Sequence, residues 1–486
     1  MKFLTLRTKK SIGIVLSAAL LPGIAIAKLT VEEEAKLGIN DTELTPMGAV
    51  RAGNAEGTIP VWNSEPMAIP AGGTVDSLAD PFADEKPLFT ITAQNYTEHM
   101  DKLTAGQIGL FKQYPDTYKM HIYPAHRTGA YDKWVYDATL EQAKNVEMCD
   151  EYATESRVCL KNVIAGGGVP FPIPKSGAEA AYNQFLSFKG IAMDQMGNAA
   201  LIDSNGNRTD VIMRQRMLFP YWLPANSKIR NEKWYNRDGI AMLCDSLEVE
   251  KPPRSSGLIT GGCNYIKEFG FQAYLYVPGQ RRVRKAPEIG FHDSPAFGSD
   301  GQRTVASRWM HYFGGTYNRF DFSKPVKKEI YVAYNNYKLG NKDLPYDEIF
   351  GEEHINSDLF RYELHRVWVI DLTLKEGQRH LYKRHTAYFD EDTWLGLAFE
   401  AYDAKGRLWR VGEQYNVFIP GPNLSTPLGD MQVDLINGRY TTYGYWQYQA
   451  GEEMGFGGPK VASKEEEITF NIDIFTPQGI RKFGRK

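Results

Sequence analysis

A long series of strand-like segments separated by turns, beginning near residue 190, limits the fold of this chain more than any other feature of its sequence. The dipeptide Asn205-Gly206 and the run Asp403-Ala-Lys-Gly406 are typical of hairpin turns. The regular spacing of strands and turns predicts an antiparallel meander and not a series of βαβ units. Alternating apolar residues predict strands at 329–337, 362–374, 380–390, 395–402 and 407–417, and a shared strand face for Val211, Met213, Met217 and Phe219.

A helix is predicted just before the meander. Ala178, Tyr182, Phe185 and Leu186 lie at positions i, i+4, i+7 and i+8, so they share one face of a helix. Such a helix can pack in the concavity of a curled sheet. Residues 166–174, rich in Gly and Pro, break regular structure before it. We interpret them as a linker, with a rigid lip beside a pocket as the alternative.

Residues 269–287 combine an aromatic strand with a basic one. Phe269, Phe271, Ala273, Leu275 and Val277 alternate with Gln272, Tyr274 and Tyr276, and Pro278-Gly279 then makes a turn. In the second run Arg281, Val283 and Lys285 alternate with Arg282 and Arg284. One interpretation is a hairpin with a solvated basic edge, because charges on edge strands guard against aggregation. The other is that one arginine points inward, at the mouth of an apolar cavity, and holds a polar group there.

Several motifs resemble a family of periplasmic proteins described as outer-membrane lipoprotein-sorting-protein-like, which is related to the outer-membrane lipoprotein carriers. The strand pair at 269–287 is similar to the strand pair of the carriers. The likeness to the family covers most of the chain after residue 27. The other motifs that carry it are residues 44–62, 123–128, 168–177, 388–395 and 402–409.

The resemblance implies an α+β, β-rich fold: a long antiparallel meander that forms a curled, unclosed β-barrel, with helices packed in its concavity. The carrier-like β domain would span residues 176–486, after an extended arm and short helices at 28–175. A hydrophobic cargo would contact the basic and aromatic strands. The expected ligand-binding residues are Phe271, Tyr274, Leu275, Tyr276, Arg281, Arg282 and Arg284, the arginines being suited to carboxylate or phosphate head groups.

Residues 1–27 have the pattern of a secretory signal peptide. Lys2, Arg7, Lys9 and Lys10 precede a short apolar run, and Ala25-Ile-Ala27 is a small-x-small cleavage site. The apolar run of about ten residues is too short to span a bilayer, although an uncleaved anchor is the alternative. We therefore expect a periplasmic protein cleaved after Ala27. Cleavage changes the formal net charge from −3 to −7, which argues against nucleic acid as a partner.

The four cysteines predict two disulfide bonds in an oxidising periplasm. Three pairings are possible, and we favour the sequence-local pairs Cys149–Cys159 and Cys244–Cys263. In the chain-entropy model each of these loops would stabilise the fold by about 3 kcal/mol. A zinc site is the alternative, although the chain contains no Cys-x-x-Cys motif.

No known catalytic motif is present, and we expect neither a cofactor nor a metal. The sequence lacks Gly-x-Ser-x-Gly, His-Glu-x-x-His, Gly-x-Gly-x-x-Gly and a phosphate-binding P-loop. His380 and His385 are five residues apart on a predicted strand, so they are expected to face opposite sides. Residues 390–392, Asp-Glu-Asp, are interpreted as a solvated acidic turn, with a calcium site as the alternative.

These observations favour a non-enzymatic periplasmic carrier or chaperone for a lipid or other hydrophobic cargo that moves to or from the outer membrane. The resemblance also implies work beside an inner-membrane exporter of the resistance-nodulation-division type and an outer-membrane partner. A second hypothesis is a protein–protein adaptor of an envelope assembly, with a filled core and an exposed aromatic patch. A third is a hydrolase that uses His126 with a nearby carboxylate.

Overall fold

A computed structural model describes residues 29–70, 79–149, 160–230, 234–236, 239–266, 272–285, 299, 301–304, 319–447 and 460–484. The predicted signal peptide, Cys159 and Phe271 lie outside these residues. The described helices are α1 (Val31–Lys36), α2 (Ala105–Gln113), α3 (Lys133–Asn145), α4 (Gly177–Leu186), α5 (Tyr346–Ile349) and α6 (Pro477–Phe483). The described strands are β1 (Phe89–Ile91), β2 (Met120–Ile122), β3 (Glu147–Met148), β4 (Leu160–Lys161), β5 (Ala192–Ile202), β6 (Arg208–Leu218), β7 (Tyr235–Asn236), β8 (Gly239–Lys251), β9 (Ile259–Tyr265), β10 (Gln272–Val277), β11 (Arg282–Lys285), β12 (Phe320–Phe322), β13 (Val326–Ala333), β14 (Tyr362–Leu374), β15 (Arg384–Asp390), β16 (Gly396–Tyr402), β17 (Leu408–Ile419), β18 (Leu424–Asp434), β19 (Arg439–Tyr443) and β20 (Lys460–Ala462).

One long antiparallel meander dominates the fold. Its strands follow each other in the order β11-β10-β9-β8-β6-β5-β19-β18-β17-β16-β15-β14-β13. Two short strands share edges with others: β20 pairs with the beginning of β5, and β12 with the end of β14. Among the described strands no pairing joins β11 to β13, so the sheet is curled and unclosed, as expected from the motifs.

The predicted strands of the meander are confirmed, with small shifts at their ends. The segment at 362–374 coincides with β14, and those at 395–402 and 407–417 correspond to β16 and β17. Asn205-Gly206 lies in the loop between β5 and β6, where Gly206 has φ +80°. At this position a left-handed backbone conformation is required, which glycine adopts without strain.

Helix α4 lies in the concavity of the sheet and is buried along its whole length. Its small residues allow close approach, and Ala178, Tyr182 and Phe185 join the largest apolar cluster, which also contains Ile370 and Leu372 of β14. Its polar side chains have partners inside the protein. The Asn183 side chain, for example, accepts a hydrogen bond from Phe171 N at 2.8 Å and donates one to Phe171 O at 2.6 Å.

The residues before α4 cover the sheet and also extend it. Met47 and Trp62 of the extended arm are buried in the same cluster as α4. Strands β1 and β2 pair with each other, and β2 continues the sheet beside Tyr362 of β14. The segment is therefore built into the edge of the sheet as well as packed on it.

A disulfide bond joins Cys244 and Cys263, which lie directly opposite each other on β8 and β9. Their Cα atoms are 4.1 Å apart. Cys149 is also disulfide-bonded. Within the described ranges, no helix is both long enough and apolar enough to cross a membrane.

Candidate functional site

The hairpin of β10 and β11 forms as expected, and its tyrosine face is covered by protein. Tyr276 is only 1% exposed and pairs with Val283, and Tyr274 packs in the same cluster. The cover on this face comes from the end of the chain, including Ile474, Phe475 and Ile480. Tyr274 and Tyr276 therefore pack against protein, while Leu275 is half-buried.

The three candidate arginines of this hairpin do not reach the interior. Arg281, Arg282 and Arg284 are all exposed. Arg281 lies in the turn, where its backbone is left-handed with φ +49°, and β11 is the last described strand at this end of the sheet. None of the three arginines is therefore directed inward in this structure, in which C-terminal residues fill the tyrosine face of the hairpin.

An open cavity of about 870 Å³ lies elsewhere, beside the cluster that contains α4. Its apolar wall includes Trp134 on α3, Ile191 just before β5, and Trp222 and Ile229 in the connection after β6. Trp134 and Trp222 meet edge to face, with ring centroids 6.1 Å apart. The polar part of the lining is Asn226, Ser227, Lys228, Ser463, Lys464, Glu465 and Glu466. An apolar wall with polar groups at an open side fits an amphiphilic ligand.

The glycine-rich segment at 166–174 forms part of this cavity, so the linker interpretation is wrong. Gly166 lines the cavity, and Val169 and Phe171 are buried in the main cluster. Gly167 has φ +83°, and a Cβ atom there would lie 2.1 Å from the indole of Trp222. Only glycine lets the backbone pass this close to the tryptophan. The segment is a rigid lip, the alternative left open by the sequence.

Residues 390–392 are buried, and the interpretation as a solvated acidic turn is wrong. Asp390, Glu391 and Asp392 are each no more than 2% exposed. Arg127 binds Asp392 through two hydrogen bonds of 2.9 and 2.6 Å, and Lys327 lies 2.9 Å from Glu391. Asp390 accepts hydrogen bonds from Tyr334 and Thr393, at 3.0 and 2.6 Å. Cations from distant parts of the chain compensate the burial of Glu391 and Asp392, whereas both hydroxyl groups reach the same oxygen of Asp390.

Burial and neighbouring charge determine how these carboxyl groups titrate. Burial, together with the negative charge of Asp392, raises the pKa of Asp390 to about 6. Glu363 of β14 is a further buried carboxyl group. Burial alone would raise its pKa, but hydrogen bonds and charges from His365 and Arg361 outweigh burial, so the pKa lies below its usual value.

No group of three or more His, Cys, Asp or Glu side chains suited to a metal occurs within the described residues.

His126 has a carboxylate neighbour, as the hydrolase hypothesis requires, but the contacts are structural. Its Nε2 lies 2.8 Å from Glu85, and its ring stacks on Phe82 with centroids 4.3 Å apart. Glu85 also accepts a hydrogen bond of 2.6 Å from Arg361. In the part of the chain that the structure describes, the side-chain hydrogen bond of His126 goes to a carboxylate and not to a hydroxyl or thiol that could act as a nucleophile.

His380 and His385 are closer than the sequence predicts. Strand β15 begins at Arg384, so His380 lies in the preceding turn, and the alternation of a strand does not apply to it. Their ring centroids are 5.5 Å apart. The expectation that they face opposite sides is therefore wrong.

The cavity residues were missed by sequence reasoning because they come from five separate segments of the chain. Trp134, Trp222 and Ile229 have no common motif or spacing. The one available signal was the glycine run at 166–168, which falls within the segment considered as a lip.

The fold and the cavity define a class: a β-rich protein whose curled antiparallel sheet holds a buried helix and leaves an apolar cavity with a polar rim. The chain belongs to the family described as "Protein of unknown function (DUF1329)", whose model matches residues 90–481. The family resemblance drawn from the motifs is thereby confirmed.

The chain is also similar to a curated protein and to solved structures. The chain is 38% identical to the uncharacterized protein PA3922 of Pseudomonas aeruginosa over 436 residues, which is 88% of this chain and 91% of the relative. Two solved structures are also similar, each covering 63% of this chain with a TM-score of 0.39. One is a candidate outer membrane lipoprotein-sorting protein domain from Vibrio parahaemolyticus, at 12% identity and 98% of that chain. The other is a DUF1329 family protein from Desulfovibrio piger, at 13% identity and 97% of that chain.

Proposed function

We propose that this protein is a non-enzymatic periplasmic carrier or chaperone that binds a lipid or other hydrophobic cargo for transport to or from the outer membrane, beside an envelope exporter. The observation that carries this proposal is the cavity of about 870 Å³ walled by Trp134, Ile191, Trp222 and Ile229. Burying an acyl chain there contributes about 0.8 kcal/mol per CH₂ group.

The rim of the cavity supports an amphiphilic cargo. Lys228, Lys464 and Glu466 are exposed, and Glu465 is half-buried. Charged groups at the open side leave the head group of a ligand in contact with water and protein charge, while the tail lies against the tryptophans. The adaptor hypothesis, by contrast, requires a filled core, so an open apolar cavity favours the carrier.

Occupation of the cavity is tested by native mass spectrometry of protein purified from the periplasm, followed by solvent extraction and lipid analysis. We expect wild-type protein to carry an amphiphile of defined mass. Ile229→Trp places a large ring in the cavity and should reduce the loaded fraction at least tenfold.

Ile436→Trp is the matched control, because Ile436 is 46% exposed and lies outside the cavity lining. This variant should retain the cargo. A wild-type protein that stays unloaded after incubation with envelope lipids would contradict the proposal and favour the adaptor.

A further inference from the structure

Six exposed basic side chains lie around β11, the last described strand at this end of the sheet; we call this surface the basic edge. Helix α6 packs against β10 and β11. A Cβ atom at Gly484 would lie 2.3 Å from the ring of Tyr276, so the end of α6 rests directly on the hairpin. The members of the basic edge are Arg281, Arg282, Arg284, Lys285, Arg481 and Lys482.

The described part of the chain places no acidic partner beside these cations. Within the described residues, none of the six side chains forms an ion pair or a hydrogen bond. Two buried arginines, by contrast, are paired with carboxylates: Arg127 with Asp392, and Arg303 with Asp430 at 2.5 Å. Collecting six unpaired cations at one place costs self-repulsion in a chain whose formal net charge is −3, and an anionic partner would relieve it.

The shape of the basic edge excludes a small enclosed ligand. Arg282 and Arg284 alternate with Val283 and Lys285, so cations project from both faces of one edge strand. All six side chains are exposed, and the surface therefore lacks the buried groups of a built pocket. Protection against edge-to-edge aggregation accounts for charges on β11 itself, but not for Arg481 and Lys482 on the neighbouring helix.

We propose that the basic edge binds the surface of a membrane that contains anionic phospholipids. Such a surface presents many phosphate groups in an extended array, and its attraction depends on the number of cations and not on one fixed geometry. This proposal is independent of the cavity, because neither β11 nor α6 contributes a residue to the cavity lining.

The test is flotation of the purified protein with vesicles of phosphatidylcholine, with and without phosphatidylglycerol, at low and high salt. We expect binding to the anionic vesicles at low salt only. Each basic residue near a charged surface contributes about fivefold. Arg282→Glu with Arg284→Glu, and separately Arg481→Glu with Lys482→Glu, should therefore each weaken binding well beyond a factor of about 25, because each pair loses two cations and gains two anions. The milder pair Arg282→Gln with Arg284→Gln serves if charge reversal impairs folding, and should weaken binding by a factor of about 25.

Lys324→Glu with Lys328→Glu is the matched control, because both lysines are exposed at the opposite end of the sheet, around β13. This pair makes the same change in net charge and should alter binding less than threefold. An equal loss in the control would overturn the proposal, since net charge and not this surface would then govern binding. Binding to neutral vesicles, or at high salt, would also overturn it, because lipid capture by the cavity behaves that way. If an acidic protein bound the basic edge while anionic vesicles did not, a membrane would be excluded as the partner of this surface.

Discussion

Lys189 is a buried lysine whose two hydrogen-bond partners carry no charge. Its Nζ donates to Gln184 O, near the end of α4, at 3.0 Å and to Ser187 Oγ at 2.6 Å. Burial disfavours the charged amine and lowers the pKa of Lys189 to about 7. In the unfolded chain the pKa is about 10.4, so the unfolded state binds more protons than the folded state at pH values between about 7 and 10.

The free energy of unfolding should therefore rise with pH through this window. The destabilising effect of Lys189 is complete below pH 7 and fades above it, with a slope of at most about 1.4 kcal/mol per pH unit. We expect Lys189→Met to remove this contribution, and urea unfolding between pH 7 and pH 9 measures it. The exposed Lys328→Met should keep the wild-type slope. A Lys189→Met protein with an unchanged slope would show that Lys189 is not the group responsible.

At the scale of elements, the N-terminal arm is attached to the sheet by motifs on which the family resemblance was based. Arg127 donates to the carbonyl oxygen of Val50 at 3.0 Å while it binds Asp392 after β15. Trp394 donates from Nε1 to the carbonyl oxygen of Met47 at 2.8 Å. Three motifs that are far apart in the sequence, at 44–62, 123–128 and 388–395, thus form one buried polar contact. Their role in this structure is to hold the arm in place.

Replacing Arg127 should release the arm and destabilise the fold. Arg127→Met leaves Asp392 buried without its cation, and we expect a loss of about 3–5 kcal/mol in the free energy of unfolding. Limited proteolysis should then cut more rapidly within residues 44–62.

The control for this variant is Lys133→Met, which removes an exposed ion pair with Asp137. Lys133→Met should lower the free energy of unfolding by less than about 1 kcal/mol. If the two variants lost the same free energy of unfolding, the buried Arg127–Asp392 pair would not be what attaches the arm.

At the scale of the whole molecule, a single curled sheet supports two surfaces that share no residues. The cavity lies where α3, the lip and the connection after β6 meet, beside the cluster that contains α4. The basic edge lies around β11, the last described strand at one end of the sheet. Cargo binding and membrane binding can therefore be changed separately.

Cargo in the cavity should stabilise the whole fold, because a ligand that binds only the folded state shifts the unfolding equilibrium. At free ligand about 100-fold above Kd, the gain is about 2.7 kcal/mol. We expect wild-type protein to unfold several degrees lower after delipidation, as measured by calorimetry. In Ile229→Trp, delipidation should change the unfolding temperature much less, whereas Ile436→Trp should show the same change as wild type. A wild-type unfolding temperature that does not change on delipidation would argue against a ligand in the cavity.

The sequence by itself determined the elements that depend on local pattern. The period of two in the β14 segment and the turn at Asn205-Gly206 predicted the meander, because side-chain alternation and turn chemistry act over a few residues. The burial of residues 390–392, the orientation of the hairpin and the position of the cavity were decided only by the tertiary structure. Whether Asp392 is solvated depends on Arg127, which is 265 residues away in the chain. Whether Tyr276 lines a pocket depends on the helix that begins at Pro477. Local pattern carries no information about such partners, since the folded sheet alone brings them together.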